Sequence, residues 1–299
     1  MTLIELIEAS AAQLEVAGLT FENGFGQGTT NAFDEAAWLV MWQLRLPLDD
    51  LDSVANRQMS EAERAQAATL LGSRIATRQP AAYLTREAWL MGVPFYVDER
   101  VIIPRSLIAE LLVDASIDPW LGEGTRRVLD LCTGNGSLAV LAAMTYPEVS
   151  IDAADISIDA LAVAQINIDK HALASRITLI ESDGLAACTG GYDLILCNPP
   201  YVNATSMAAL PPEFKAEPSL ALAGNMHGGS DGMDFVRVLL ASAAPQMNEN
   251  AVLVLEIGNE KSNFERAFPG LEPLWFETSA GEEQVMLLTR EQLARSLKP

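Results

Sequence analysis

The sequence predicts an α/β protein in which a seven-stranded, mostly parallel sheet follows a small helical domain and a connecting β-hairpin. Two patterns carry this expectation. From Arg127 onward, short β-branched or leucine-rich runs alternate with helical stretches, which is how a parallel sheet covered on both faces is encoded. Ahead of that region, Met1 to about Gln79 reads as helical. A chain of 299 residues with 49% hydrophobic content can build one large core and one smaller one.

Taken in order, Phe33 to Val40 opens an apolar-periodic stretch, and Ser60-Glu61-Ala62-Glu63 has the spacing of a capping box. Gly24, Gly26 and Gly28 form one loop and Pro47 to Asp52 another, so four or five helices are expected. Trp89 to Phe95, a polar turn at Asp98-Glu99-Arg100 and Val101-Ile102-Ile103 read as a two-stranded hairpin ended by Pro104. The expected boundaries are residues 1–87 for the helical domain, 88–103 for the connector and 104–299 for the α/β domain. Its strands are Val128–Leu131, Ile151–Ala154, Ile177–Ile180, Leu194–Cys197 and Ala251–Leu255. Two last runs, at Trp275-Phe276 and Val285–Leu288, have no useful helix between them and should pair as an antiparallel edge.

The net charge of −21 argues against a direct nucleic-acid partner, which would demand clustered Lys and Arg, and suits a basic one. No run is long and apolar enough for a bilayer and the amino terminus does not resemble a secretory signal, so no membrane partner and a cytoplasmic location are expected. Cys132, Cys188 and Cys197 show no C-x-x-C spacing, and with two histidines no metal site is expected.

The first strand of the α/β region runs into Asp130-Leu131-Cys132-Thr133-Gly134-Asn135-Gly136, directly before an apolar helix. Glycines at such a turn let a ligand lie against the main chain near the free N–H groups of the helix start. Asp155, nineteen positions beyond Gly136, ends the second strand where a carboxylate can accept both hydroxyl hydrogens of a ribose. Ser157 is placed to cap the next helix. Asp183 and Gly184, after the third strand, suit an adenine: the carboxylate accepts from its amine and the glycine leaves room for the ring. These residues fit a nicotinamide enzyme, a methyltransferase or a plain tight turn alike.

Asn198-Pro199-Pro200-Tyr201, at the carboxyl end of the fourth strand, narrows the choice. Two prolines there cannot donate backbone hydrogen bonds and fix φ, so the segment presents carbonyl oxygens in a rigid direction. A planar NH2 group matches it: the Asn198 side-chain oxygen and the Pro199 carbonyl accept its two hydrogens, and Tyr201 packs on its flat face. Asn198, Pro199 and Tyr201 are the expected catalytic set, with Pro200 completing the acceptor site. Such a clamp returns electron density to a weak amide nitrogen and aims it at a sulfonium methyl, with no strong base required.

These motifs resemble the protein-glutamine N5-methyltransferases, a class I Rossmann-like family, over nearly the whole chain. Further matching stretches are Gly26-Gln27-Gly28-Thr29, Asn31 to Ala36, Pro80 to Thr85, Phe95 to Val101 and Pro104-Arg105-Ser106. The sister branch acting on peptide-chain release factors usually has Pro-x-Thr-Glu after Pro-Arg. Ser106 to Glu110 here resembles instead the branch acting on ribosomal protein three of the large subunit. The resemblance implies S-adenosylmethionine as cofactor, held by Asp130, Cys132, Thr133, Gly134, Asn135, Gly136, Asp155, Asp183, Gly184 and Asn198, and a basic ribosomal protein carrying the acceptor glutamine. Cys132 stands where many methyltransferases have glycine, and Gly184 where some relatives have an aromatic ring.

Residues from Tyr201 to Gly232 read as a long lid loop, in which Glu213 and Glu217 either contact substrate or brace the loop. The alternatives are a release-factor enzyme, a DNA adenine methyltransferase, a non-enzymatic cofactor sensor that would not need Asn198, and a dehydrogenase. The charge disfavours the DNA enzyme, and NAD titration discriminates the last.

Overall fold

In the computed structural model, which describes residues 1–296, seven strands form one sheet. A hairpin of β1 (Ala88–Leu90) and β2 (Val93–Phe95) precedes them. They are β3 (Arg127–Leu131), β4 (Ser150–Asp155), β5 (Ile177–Glu181), β6 (Tyr192–Cys197), β7 (Met247–Glu256), β8 (Leu274–Thr278) and β9 (Gly281–Thr289). Their order is β5-β4-β3-β6-β7-β9-β8, parallel through β7, with β9 antiparallel to both of its neighbours. All seven expected runs are strands. The last two pair antiparallel at one edge of the sheet as expected, with β9 inside and β8 outermost.

The runs are apolar on both sides because both faces are covered. Val128, Leu194, Leu196 and Val254 pack with the helix Ser137–Thr145, while Leu129, Leu131, Ile195 and Leu255 pack with Val236, Leu239 and Leu240 of the helix Asp234–Ser242. Each such fully buried Leu or Val contributes about 1.5–3 kcal/mol relative to exposure.

The hairpin is tighter than expected. Its turn is Met91-Gly92, both at positive φ (50° and 76°), the twist that suits two short antiparallel strands. Val101 to Ile103 is therefore not its second strand; Val101 and Ile103 are buried as irregular chain. Phe95 is fully buried in the sheet's core, and Asn167 ties the segment down: its Oδ1 accepts from Tyr96 N (2.7 Å) and its Nδ2 donates to Tyr96 O (3.0 Å). The hairpin thus packs with the sheet.

A second unit comprises Met1–Ala88, Val97–Glu99 and Leu210–Glu217. Its helices are Leu3–Val16, Ala32–Gln43, Leu51–Val54, Glu61–Thr77 and Ala81–Thr85, around a core that includes Leu3, Ile7, Leu14, Leu39, Met41 and Leu71. The Ser60–Glu63 capping box forms in both directions. A fully buried arginine, Arg74, donates to Glu35 Oε1 (2.8 Å), to Glu213 Oε1 (2.9 Å) and to the Gly24 carbonyl (2.7 Å). Arg78 adds two bonds to Glu213, whose exposure is 0%. Glu213 therefore braces the helical unit from within. Burial works to raise its pKa, but the bonds from Arg78 and Arg74 outweigh it and hold the group below 4.5.

Because that pKa is lowered on folding, the stabilisation is present at neutral pH and is lost as pH falls through the lowered value. Glu213→Ala leaves two buried or half-buried guanidinium groups short of a partner, and should cost about 3–5 kcal/mol in urea unfolding at pH 7. A loss under about 1 kcal/mol would mean that the network is solvated.

Candidate active site

The register of the sheet brings the motif residues to one edge. Leu131 is paired with Ala154 on β4 and with Cys197 on β6, and Asp155 with Glu181 on β5. The residues following these strands, from Cys132, Ile156, Ser182 and Asn198 onward, leave the sheet side by side at its carboxyl ends. Between β3 and β6 the strand order reverses, which is where open α/β sheets take their ligands.

A cleft opens there, lined by Cys132, Gly134, Asp155, Asp183, Gly184 and Asn198 together with Pro200, and walled by Arg100 to Ile102, Leu220, Met226 and Phe235. Counting its open mouth and the solvent in it, the cleft spans about 750 Å³. Asp155 Oδ2 accepts from Gly134 N and Oδ1 from Ser157 N, both at 2.9 Å, so the carboxylate faces the cleft with a fixed angle. Burial raises its pKa, against the pull of these backbone bonds. Ser157 caps its helix as expected, accepting from Ala160 N at 3.1 Å.

Asp130, Thr133, Asn135 and Gly136 shape the loop from behind. Asp130 is fully buried; its Oδ2 accepts from Thr133 Oγ1 (2.5 Å) and Ala139 N (3.0 Å), which pins the loop to the helix it precedes. Burial pushes its pKa up to about 7. The Asn135 backbone carbonyl accepts from Asn167 Nδ2 (2.9 Å), so one asparagine holds both the loop and the hairpin. At Gly136 (φ 80°) a Cβ would lie 3.1 Å from Ala164 Cβ, while at Gly134 (φ 54°) it would point into open space. That bare, open backbone beside a fixed carboxylate fits a nucleoside cofactor.

The acceptor motif divides. Asn198 and Pro200 line the cleft, whereas Pro199 is buried and Tyr201 turns toward β7, its ring against Gly258. Sequence reasoning missed two groups here. Phe235 lies 3.9 Å from where a Gly184 Cβ would be, so the aromatic wall absent at 184 comes from another helix. Its only sequence signal is its place at a helix start after the glycine-rich Gly228–Gly232 stretch. Glu256, which is bonded by Ser106 and Leu107, carried no signal in one sequence.

The loop after Tyr201 is structured: helices Ala204–Ala209 and Pro212–Lys215, a 3-10 turn Ser219–Ala221, and a bridge between Val202 and Ala223 that closes its base. Gly232 lets the Tyr201 carbonyl approach to 2.1 Å of the position where a Cβ would stand.

A curated protein of Bordetella pertussis, the ribosomal protein uL3 glutamine methyltransferase, is 48% identical over 98% of this chain and 96% of its own length. The protein of the same name from Burkholderia pseudomallei is 46% identical over 98% and 95%. The chain belongs to this family. It is an S-adenosylmethionine-dependent methyltransferase. Residues 109–217 match the methyltransferase small domain. The fold is shared with the hMettl16 catalytic domain solved with MAT2A 3′UTR hairpin 6, at 15% identity, a TM-score of 0.51 and coverage of 77% of this chain and 81% of that one.

Cys132 has φ of 62°, a left-handed angle that disfavours a side chain by about 1–2 kcal/mol. Cys132→Gly should therefore keep or raise thermal stability and retain cofactor binding, while Cys132→Val should lower both. Equal melting temperatures for the two variants would contradict the backbone argument.

Proposed function

We propose that this enzyme methylates the side-chain amide nitrogen (N5) of a glutamine in ribosomal protein uL3, with Asn198, Pro199, Pro200 and Tyr201 as the acceptor site. The observation that carries this reading is the position of Asn198 and Pro200 in the wall of the cleft that Asp155, Asp183 and Gly134 also line. The names of the relatives at 46–48% identity supply the substrate.

S-adenosylmethionine, when bound, supplies a methyl group on a positively charged sulfur. The chain's part is to hold the amide. Asn198 Oδ1 and the Pro199 carbonyl accept its two hydrogens, which turns the nitrogen's lone pair outward and enriches it. Orientation of this kind contributes about 7–11 kcal/mol, more than the roughly 3–5 expected of a single acid–base group, so no general base is needed in this scheme. Transfer would form the N–C bond as the methyl–sulfur bond breaks with its electron pair left on sulfur, and the proton displaced from nitrogen would leave to water. Cys132, Gly134, Asp155, Asp183 and Gly184 hold the cofactor, and Phe235 gives its ring a face to rest on.

The acidity of the chain fits a basic ribosomal protein as partner, acting in the cytoplasm without direct contact to nucleic acid. Among the described residues no helix is long and apolar enough to cross a membrane.

Incubation of the enzyme with unmodified uL3 and radiolabelled S-adenosylmethionine, followed by peptide mass spectrometry, should place one methyl group on a glutamine. Label on release factors or on DNA alone would reject the assignment. Asn198→Ala should abolish turnover while changing cofactor affinity, measured by calorimetry, far less; normal kinetics in that variant would dismiss the clamp. Raising ionic strength should lower kcat/KM for uL3, and a salt-independent value would rule out charge steering.

A further inference from the structure

Tyr201 meets a segment that none of the roles above includes. Glu256, at the end of β7, is 3% exposed; its Oε2 accepts from Ser106 Oγ (2.6 Å) and Leu107 N (2.9 Å), and its Oε1 lies 3.5 Å from the Tyr201 hydroxyl. Two residues on, Gly258 (φ 52°) leaves bare backbone under the Tyr201 ring: a Cβ there would be 2.6 Å from Cε2. Two further on, Glu260 Oε1 accepts from Asn203 Nδ2 at 2.6 Å. Alternate positions of one short segment thus grip the hydroxyl of Tyr201, its ring, and the residue two places after it.

We propose that Glu256 is a positioning residue for methyl transfer: anchored by Ser106, it fixes the Tyr201 hydroxyl and through it the angle of the acceptor corner. This deepens the glutamine reading and rests on it. Three donors converge on the carboxylate, so its ionised form matches the surroundings and a proton on it would displace one of them. Burial pushes the Glu256 pKa up to about 7, against the bonds from Ser106, Leu107 and Ile108 and the charge of Arg105. Burial, and then the Glu256 charge, push the Tyr201 hydroxyl well above the usual phenol range, so it stays a donor. The other titratable neighbours are Glu260 beyond β7 and Cys197 at the end of β6, while Val285 opposite on β9 is apolar.

The consequence is a pH dependence of the reaction. With Glu256 raised above the ordinary carboxylate range, activity should rise with pH through about 7 as the carboxylate ionises and takes up the Tyr201 hydroxyl. Ser106→Ala removes a donor to the ionised form and should move that limb of the kcat/KM profile to higher pH. Glu256→Gln should remove the limb.

The test measures uL3 glutamine methylation by wild type, Ser106→Ala, Glu256→Gln, Tyr201→Phe and the Tyr201→Phe/Glu256→Gln double variant across the neutral range, with calorimetric cofactor affinity as the check on folding. Loss of one such charge-assisted bond should lower kcat about tenfold, with cofactor affinity unchanged and the double variant no worse than the poorer single one. Additive losses in the double variant, or a limb that Ser106→Ala does not move, would overturn the positioning role. Should Glu256→Gln fail to fold, the Ser106→Ala limb decides alone. Wild-type enzyme that leaves glutamine unmodified would sink the functional reading as well, which separates the two failures.

Discussion

The pairing of β3 with β6 is the constraint on which the rest of the site depends. Leu131 opposite Cys197 sets Cys132 and Asn198 as neighbours where the strand order reverses. A slip of β6 by one residue would turn Leu194 and Leu196 out of one core and into the other, exchanging that strand's side chains between faces that are both apolar but differently shaped. Register is therefore fixed by packing far from the ligand. The β4 and β5 pairings extend the same level to Asp155 and to the segment after Glu181, so four loops end in one line without any of them having to find the others.

Rigidity is then added loop by loop, in each case by a buried polar group. Asp130 pins the glycine turn to its helix, Asn167 joins that turn to the hairpin, and Asp234 accepts from His227 N (2.8 Å) and Gly229 N (3.0 Å) at the far end of the segment that follows Tyr201. The same device recurs inside the helical unit, where Arg74 and Glu213 are joined across 139 positions of sequence.

What the sequence revealed and what it concealed follow from the range of the interaction. The seven strands are legible because burial on two faces makes each a near-continuous apolar run, and the Ser60 and Ser157 caps because a cap is a four-residue pattern. The hairpin was misplaced because its turn uses Met91, which carries no turn preference, ahead of Gly92. The lid was read as structureless because helices of four and six residues are too short to show a period. Arg74 gave no sign of its burial, since a charge on an amphipathic helix ordinarily points outward, and its partner Glu213 lies 139 positions away. Phe235 and Glu256 escaped for the same reason: their meaning lies in what they touch, and Gly184, Ser106 and Tyr201 are all remote in sequence.

Two carboxyls with pKa values near 7 would ordinarily mark acid–base catalysts. Here neither faces the cleft. Asp130 has no exposure, and one of its oxygens is committed to Thr133 and Ala139; Glu256 is ringed by donors from Ser106, Leu107 and Tyr201. Their raised values record burial, so they measure how far the scaffold goes in placing charge beneath its loops. A base strong enough to deprotonate an amide would have to reach the acceptor nitrogen, and the two carboxyl side chains that line the cleft are Asp155, already held by two backbone N–H groups, and Asp183, which the proposal gives to the cofactor. The proposed acceptor site asks such a wall to hold a neutral group at a set angle, and two prolines after Asn198, with φ fixed and no N–H to donate, have the stiffness that this proposal requires.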